Sequence, residues 1–216
     1  VEQAEAVLAA SAFYFAQIDA GQMPDFDGVA DPSTRTILQT WAAGALKDAT
    51  LLPIEPFTQA AKTLAYDPAR LAARFSVPLD VVLRRLAHLP NDAGHPLMGL
   101  AVCDAAGVVT FQKPVLDFRL PRSGAACPFW PLFQALTQPA RAIRRVVRLP
   151  GAARTPFECF AVAGPVGGVD FAGEPRIVAT MLVRPARSED AAEVVGPGCR
   201  VCAVENCAGR RQPSLL

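Results

Sequence analysis

Along the first third of the chain, apolar positions recur at helical spacing. Residues 2–20 begin small and apolar, then carry Phe13, Tyr14, Phe15 and Ile18 before Gly21, which predicts a helix with a glycine stop. Residues 23–32 read as a loop of Pro, Asp and Gly. Ser33 or Thr34 stands where the cap of a second helix, running to Asp48, is expected. Pro56 fits the first turn of a third, ending near Ala65. Asp67 before Pro68 is a cap with a first-turn proline and opens a short helix to Phe75. Ser76, Val77 and Pro78 turn the chain into a helix over 79–89, whose apolar stripe is Leu79, Val82, Leu83 and Leu86.

Beyond residue 90 the pattern changes to that of strands. Residues 97–103 and 108–111 flank the turn Asp104-Ala105-Ala106-Gly107, a hairpin signal. Residues 115–120 predict a third strand. Residues 129–136 and 140–149 predict helices, and 157–163 and 176–183 predict strands, the second rich in β-branched residues. From Gly196 no period is visible, and no internal repeat occurs. The fold class is therefore α+β: an all-helical region over 1–90, then over 91–216 a mostly antiparallel sheet with helices and a Cys-rich C-terminal tail. Helix, three-residue turn, helix over 68–89 also matches a DNA-reading pair. Its second helix offers only Arg84 and Arg85 as bases, so ordinary helix packing is the preferred reading.

Composition narrows the function. Of 216 residues, 51% are hydrophobic and 19% charged, which is a folded chain and not a disordered one. No apolar run approaches the roughly 18 residues of a membrane helix, and no charged-then-apolar signal opens the chain. The chain starts on Val1 and not Met, as a piece of a longer protein would. With only His88 and His95 there is no H-E-x-x-H and no three-His metal site. The run Gly164-Pro165-Val166-Gly167-Gly168 matches neither phosphate-loop spacing.

The net charge of +1 hides an asymmetry. Residues 1–60 hold eight acids and two bases; residues 112–154 hold eight bases and one acid, Asp117. A local field of that sign attracts anions. On the helix predicted over 140–149, Arg141, Arg144, Arg145 and Arg148 fall at i, i+3, i+4 and i+7 and share one face. That face is either solvated or faces a partner or an anion.

Six cysteines complete the chemistry. Cys103 and Cys159 sit inside apolar strand patterns and read as core. Cys127 precedes Pro128 in the basic stretch, where nearby arginines favour a thiolate. Cys199, Cys202 and Cys207 form C-x2-C-x4-C among glycines. Disulfides would require an oxidising compartment. Structural zinc prefers two separated pairs. Three bunched cysteines with one remote partner follow the habit of iron–sulfur sites, so that reading leads on spacing, with zinc and plain thiols or a disulfide behind it.

The stretch from Gly198 through Cys199, Arg200, Val201 and Cys202 to Cys207, with Arg210, Pro213 and Leu215, resembles the C-terminal signature of the short-chain fatty acyl-coenzyme A regulators, bacterial transcription factors. Arg122 to Trp130, which contains Cys127-Pro128, is similar to the family's R-F-G-x-x-C-P-x-W segment. Gln138-Pro139 and the segment Leu71 to Leu86 fit as well. The resemblance covers residues 67–216, and the first 65 or so match poorly. It implies a ligand-sensing part of a transcription regulator, with residues 91–216 as an acyl-CoA-sensing domain. A 4Fe-4S cluster would be held by Cys127, Cys199, Cys202 and Cys207. The CoA phosphates would meet Arg119, Arg122, Arg141, Arg144, Arg145 and Arg148, and the acyl chain would meet Phe129 and Trp130 beside Phe133. DNA would be bound only through a helix-turn-helix domain missing from this chain, and the family's peptidase-like zinc motif is also missing. The same resemblance implies a non-enzymatic, cytoplasmic protein away from membranes, and a homodimer, since such regulators commonly dimerise. Two alternatives remain: a zinc-stabilised interaction domain, and an iron–sulfur redox sensor that binds no acyl-CoA. A redox enzyme is disfavoured because acids near the cysteines are few, namely Asp117, Glu158 and Glu205.

Overall fold

The computed structural model describes residues 2–9, 12–90, 94–118, 120–121, 126–151, 155–167, 171, 173–188 and 191–216. The chain divides into two compact units, Val1–His95 and Pro96–Leu216. The first is helical: α1 (Glu2–Ala9), α2 (Ala12–Asp19), α3 (Pro32–Leu51), α4 (Ile54–Thr63), α5 (Pro68–Phe75) and α6 (Leu79–Ala87). The single helix expected over 2–20 is described as α1 and α2, with residues 10–11 outside the described set. The cap of α3 is Asp31, whose carboxylate accepts from the Thr34 N–H at 2.7 Å, and not Ser33 or Thr34. Asp31-Pro32 repeats the Asp67-Pro68 device, and Asp67 accepts from the N–H groups of Ala69 and Arg70 at 2.9 and 3.0 Å. Both are local signals, because a short carboxylate reaches the first free amides and proline lacks the N–H that would go unpaired. Leu38, Leu52, Phe57, Leu71, Val82, Leu83 and Leu86 are fully buried.

The second unit is built on one six-stranded sheet: β1 (Gly99–Asp104), β2 (Val109–Lys113), β3 (Ile143–Arg148), β4 (Phe157–Val166), β5 (Arg176–Pro185) and β6 (Glu193–Val194). Their order is β2-β1-β5-β4-β3-β6, and every pair is antiparallel except β3 with β6. The β1–β2 hairpin turns as expected. The Asp104 carboxylate accepts from the N–H groups of Ala106 and Val108, both at 3.0 Å. Helix α7 (Pro131–Leu136) packs on β4 and β5. Under it Cys103, Cys159, Ala161, Ala163, Met181, Val183 and Val147 form one core with Trp130, Phe118 and Phe157.

Two predicted elements are corrected. Among the described residues of 115–120 there is no strand: Val115 and Phe118 close a turn through the Phe118 N–H to Val115 C=O bond of 2.9 Å, with Leu116 at φ +48°. Val115, Phe118 and Leu120 are buried, a spacing of three and then two that no strand face produces. The other correction is larger. Residues 140–149 are not a helix but carry strand β3. Ala140 at φ +64° breaks any helix before it starts, and its N–H donates to Ala163 C=O at 2.8 Å. Ile143, Val146 and Val147 are β-branched and pair along β4, Ile143 opposite Ala161 and Val147 opposite Phe157.

Candidate functional site

Strand geometry disperses the arginines that a helix would have gathered, because side chains alternate between faces. Arg144 and Arg148 fall on one face of β3 and Arg145 on the other. Arg144 donates to Glu158 (2.8 Å from Nε), and Arg184 donates to the other oxygen of the same carboxylate (2.7 Å). Both guanidiniums lie over the Phe160 ring, at 5.5 and 5.1 Å from its centroid. Arg145 pairs with Glu193 at 3.2 Å, and Arg141 donates to Gln138. Arg148 is exposed. Arg144, Arg145 and Arg148 therefore share no single face. Arg119 and Arg122 lie outside the described residues.

The cysteines are brought together. Cys127, Cys199, Cys202 and Cys207 line one cavity of about 250 Å³, with Phe129, Val194, Val204 and Arg210 also on its wall. Backbone pairing brings the two segments together: Ala126 bridges Gly198 in the antiparallel sense, and Cys127 lies beside Gly196. The tail then folds back as a 3-10 turn over Cys199–Val201 and a loop held by Arg210. That guanidinium donates to the carbonyls of Cys199 (3.3 Å), Cys202 (3.5 Å), Gln212 (3.5 Å) and Val204. Arg211 reaches Ala126 C=O at 2.7 Å, and the Ser214 hydroxyl reaches Cys202 C=O at 3.1 Å. Gly196 has no room for a side chain, since a Cβ there would stand 2.7 Å from Cys202 Sγ. Gly209 likewise lies against the Phe129 ring.

The surroundings of the thiols differ. The Arg211 backbone N–H, 3.4 Å from Cys199 Sγ, holds that thiol below its ordinary value of 9.0. Burial opposes this, while the Gln212 N–H and the charges of Arg211 and Arg210 assist it. Burial pushes the Cys127 thiol up, and so do Cys207 and Cys202 beside it, against the N–H groups of Phe129 and Gly196. Burial raises Cys103 to about 12 and also raises Cys159, which leaves both as inert core thiols. Among the described residues no group of three or more His, Cys, Asp or Glu is arranged to hold a metal ion. The four cysteines share the wall of one cavity.

Of the aromatic candidates, Phe129 is on the cavity wall and half-exposed. Trp130 is fully buried in the core, and its indole N–H donates to Gly196 C=O at 2.9 Å. It supports the cavity from behind and does not line it. Arg210 and Arg211 as loop staples, and Gly196 as the close approach, were not legible as such. Only the crowding of glycines and arginines around C-x2-C-x4-C hinted at them.

The 68–89 helix pair is now defined as well. Arg84 is tied to Asp48 (2.7 Å) and Asp80 (2.7 Å), while Arg85, buried, meets Asp19 (2.7 Å) and Leu52 C=O (2.9 Å). Neither guanidinium is presented to a groove. In a mobility-shift assay the chain should show only weak DNA binding that fades steeply with salt. Tight, sequence-specific binding would contradict this assignment.

Fold and cavity together define a sheet domain with a cysteine-lined pocket closed by its own tail. The sequence model described as "Short-chain fatty acyl coenzyme A regulator, C-terminal" matches residues 88–182, and over that region the chain is similar to this family. It is 32% identical to the HTH-type transcriptional regulator PrpR of Mycobacterium tuberculosis over 194 residues, covering 82% of this chain and 38% of that protein. It is 31% identical to the propionyl-CoA carboxylase regulator of Cereibacter sphaeroides over 195 residues (84% and 42%). It is 27% identical to the HTH-type transcriptional regulator RamB of M. tuberculosis over 213 residues (84% and 42%). The chain thus spans about two fifths of the length of these relatives. A solved M. tuberculosis transcriptional regulator shares the fold, with a TM-score of 0.70 and 24% identity over 97% of this chain and 66% of that one. Among the described residues no helix is long and apolar enough to cross a membrane.

Proposed function

We propose that this chain is the effector-binding part of a cytoplasmic bacterial transcription regulator and no enzyme. It would hold a 4Fe-4S cluster on Cys127, Cys199, Cys202 and Cys207 and respond to a short-chain acyl-CoA. The observation that carries the reading is the convergence of four cysteines, from two segments 72 residues apart, on one cavity. Soft thiolates suit iron–sulfur chemistry, and four of them match the protein ligands of such a cluster. A single zinc ion would need all four sulfurs at about 2.3 Å from one centre. The acyl-CoA part rests on the family and on the propionyl-CoA carboxylase regulator among the relatives. DNA binding would belong to another part of the full-length protein.

Protein purified without oxygen should be brown and contain about four iron and four sulfide per chain. Cys199→Ala should abolish this, whereas Cys103→Ala and Cys159→Ala should not. Colourless protein with one zinc per chain would establish the zinc-stabilised alternative. Calorimetry with propionyl-CoA, acetyl-CoA and free CoA tests the ligand. A well-made charged hydrogen bond contributes about 1.5–3 kcal/mol, so Arg145→Ala or Arg148→Ala should weaken binding about tenfold or more. Should both bind as the parent does, the β3 arginines serve structure or a partner. Should no CoA species bind while iron is present, the redox-sensor alternative holds.

A further inference from the structure

We infer that the short strand β6, with the Val195-Gly196 that follows it, is a strap through which the cysteine cavity controls access to the arginine-bearing edge of β3. The inference rests on the reading above for what occupies the cavity, but not for the connection itself. Strand β6 has only two residues, Glu193 opposite Val147 and Val194 opposite Arg148, in the parallel sense. So short a parallel pair has little stability of its own. The ion pair of Glu193 with Arg145 is about half exposed on both sides and adds little. What fastens the strap lies at its C-terminal end. Val195 is fully buried and donates its N–H to Arg148 C=O at 3.0 Å. Gly196 C=O is held by the Trp130 indole, and Gly196 lies directly against Cys202. Val194 is itself part of the cavity wall.

Four consecutive residues therefore connect two places: Glu193 neutralises an arginine of β3, and Gly196 backs the cysteines. When the cavity is intact, Gly196 is fixed, β6 stays on β3, and Arg145 stays engaged. When the cysteine loop opens, the anchor at Gly196 is lost and a two-residue ladder cannot hold alone. Strand β6 then leaves, β3 becomes the sheet edge, and Arg145 is released to an anionic ligand.

Hydrogen exchange read by mass spectrometry on the whole chain tests this. Two variants loosen the cavity without touching β6. Arg210→Ala frees the carbonyls of Cys199, Cys202, Val204 and Gln212, and Cys202→Ser alters the thiol against Gly196. In each, and in the parent after chelation of its iron, exchange over 193–198 and 143–149 should rise about tenfold while β1 and β5 keep their protection. Glu193→Gln should leave the iron content and the protection of 196–207 within about twofold of the parent. Unchanged exchange over 193–198 in both cavity variants would overturn the strap. An equal rise in β1 and β5 would do so too, since it would mean unfolding of the whole sheet. Absence of iron from the parent would sink the cluster reading alone, because the two variants report on the connection with or without metal.

Discussion

Trp130→Ala should lower the stability of the sheet unit by about 3–5 kcal/mol, the usual cost of emptying a fully buried aromatic site. Trp130 is the largest side chain that the described residues bury completely. It meets the Phe118 ring edge-on at 5.3 Å, and Phe118 meets Phe157 at 6.1 Å, so the void would open at the centre of the core and not at its rim. The hydrogen bond to Gly196 C=O goes with it. Trp130→Phe isolates that bond: it keeps most of the ring and should cost about 1–3 kcal/mol, the penalty of an unmet buried acceptor plus a small void. The two units need not unfold together, so the loss is best read from denaturant-dependent hydrogen exchange in β4. Trp41, in α3, remains as a fluorescent reporter on the helical unit. A cost below about 1.5 kcal/mol for Trp130→Ala would show that the core relaxes into the space.

Glu158→Ala should cost about 2–3 kcal/mol and change how stability depends on pH. This is less than the about 3–5 kcal/mol of a fully enclosed broken pair, because Arg144 is 67% exposed while Arg184 is 17% exposed. Burial raises the Glu158 carboxyl, but the hydrogen bonds and charges of Arg184 and Arg144 outweigh it and leave it below its ordinary 4.5. A carboxylate lowered in the folded state contributes stability that is complete above its unfolded value and is lost as pH falls through the folded one. The sheet unit should therefore lose stability as the pH drops below about 4.5. Glu158→Gln should flatten that part of the profile, and thermal melts from pH 7 downward would show it. A parent and a Glu158→Gln variant with parallel profiles would place the acid sensitivity elsewhere.

What was legible from residues alone was whatever local chemistry decides. Asp67 with Pro68 starts α5 because a carboxylate and a proline settle the first turn without help from distant residues. Asp104 and Gly107 turn the β1–β2 hairpin for a similar reason. The order of helical unit, antiparallel sheet and irregular cysteine tail also followed from periodicity. The arginine segment shows where this ends. Arg141, Arg144, Arg145 and Arg148 satisfy a helical repeat, yet the same ten residues contain Ile143, Val146 and Val147. Both periods are present, and the choice falls to β4, which offers a strand edge and a buried face to pair with. The cysteines divide in the same way. Their number and the C-x2-C-x4-C spacing are in the chain, but the meeting of Cys127 with the other three depends on Ala126 reaching Gly198 across 72 residues. Contacts so far apart in sequence cost loop entropy that only the assembled core repays. Burial of Trp130 and Val195 supplies that return, which is why the sequence by itself determines the number and spacing of the cysteines and the tertiary structure decides that four of them line one cavity.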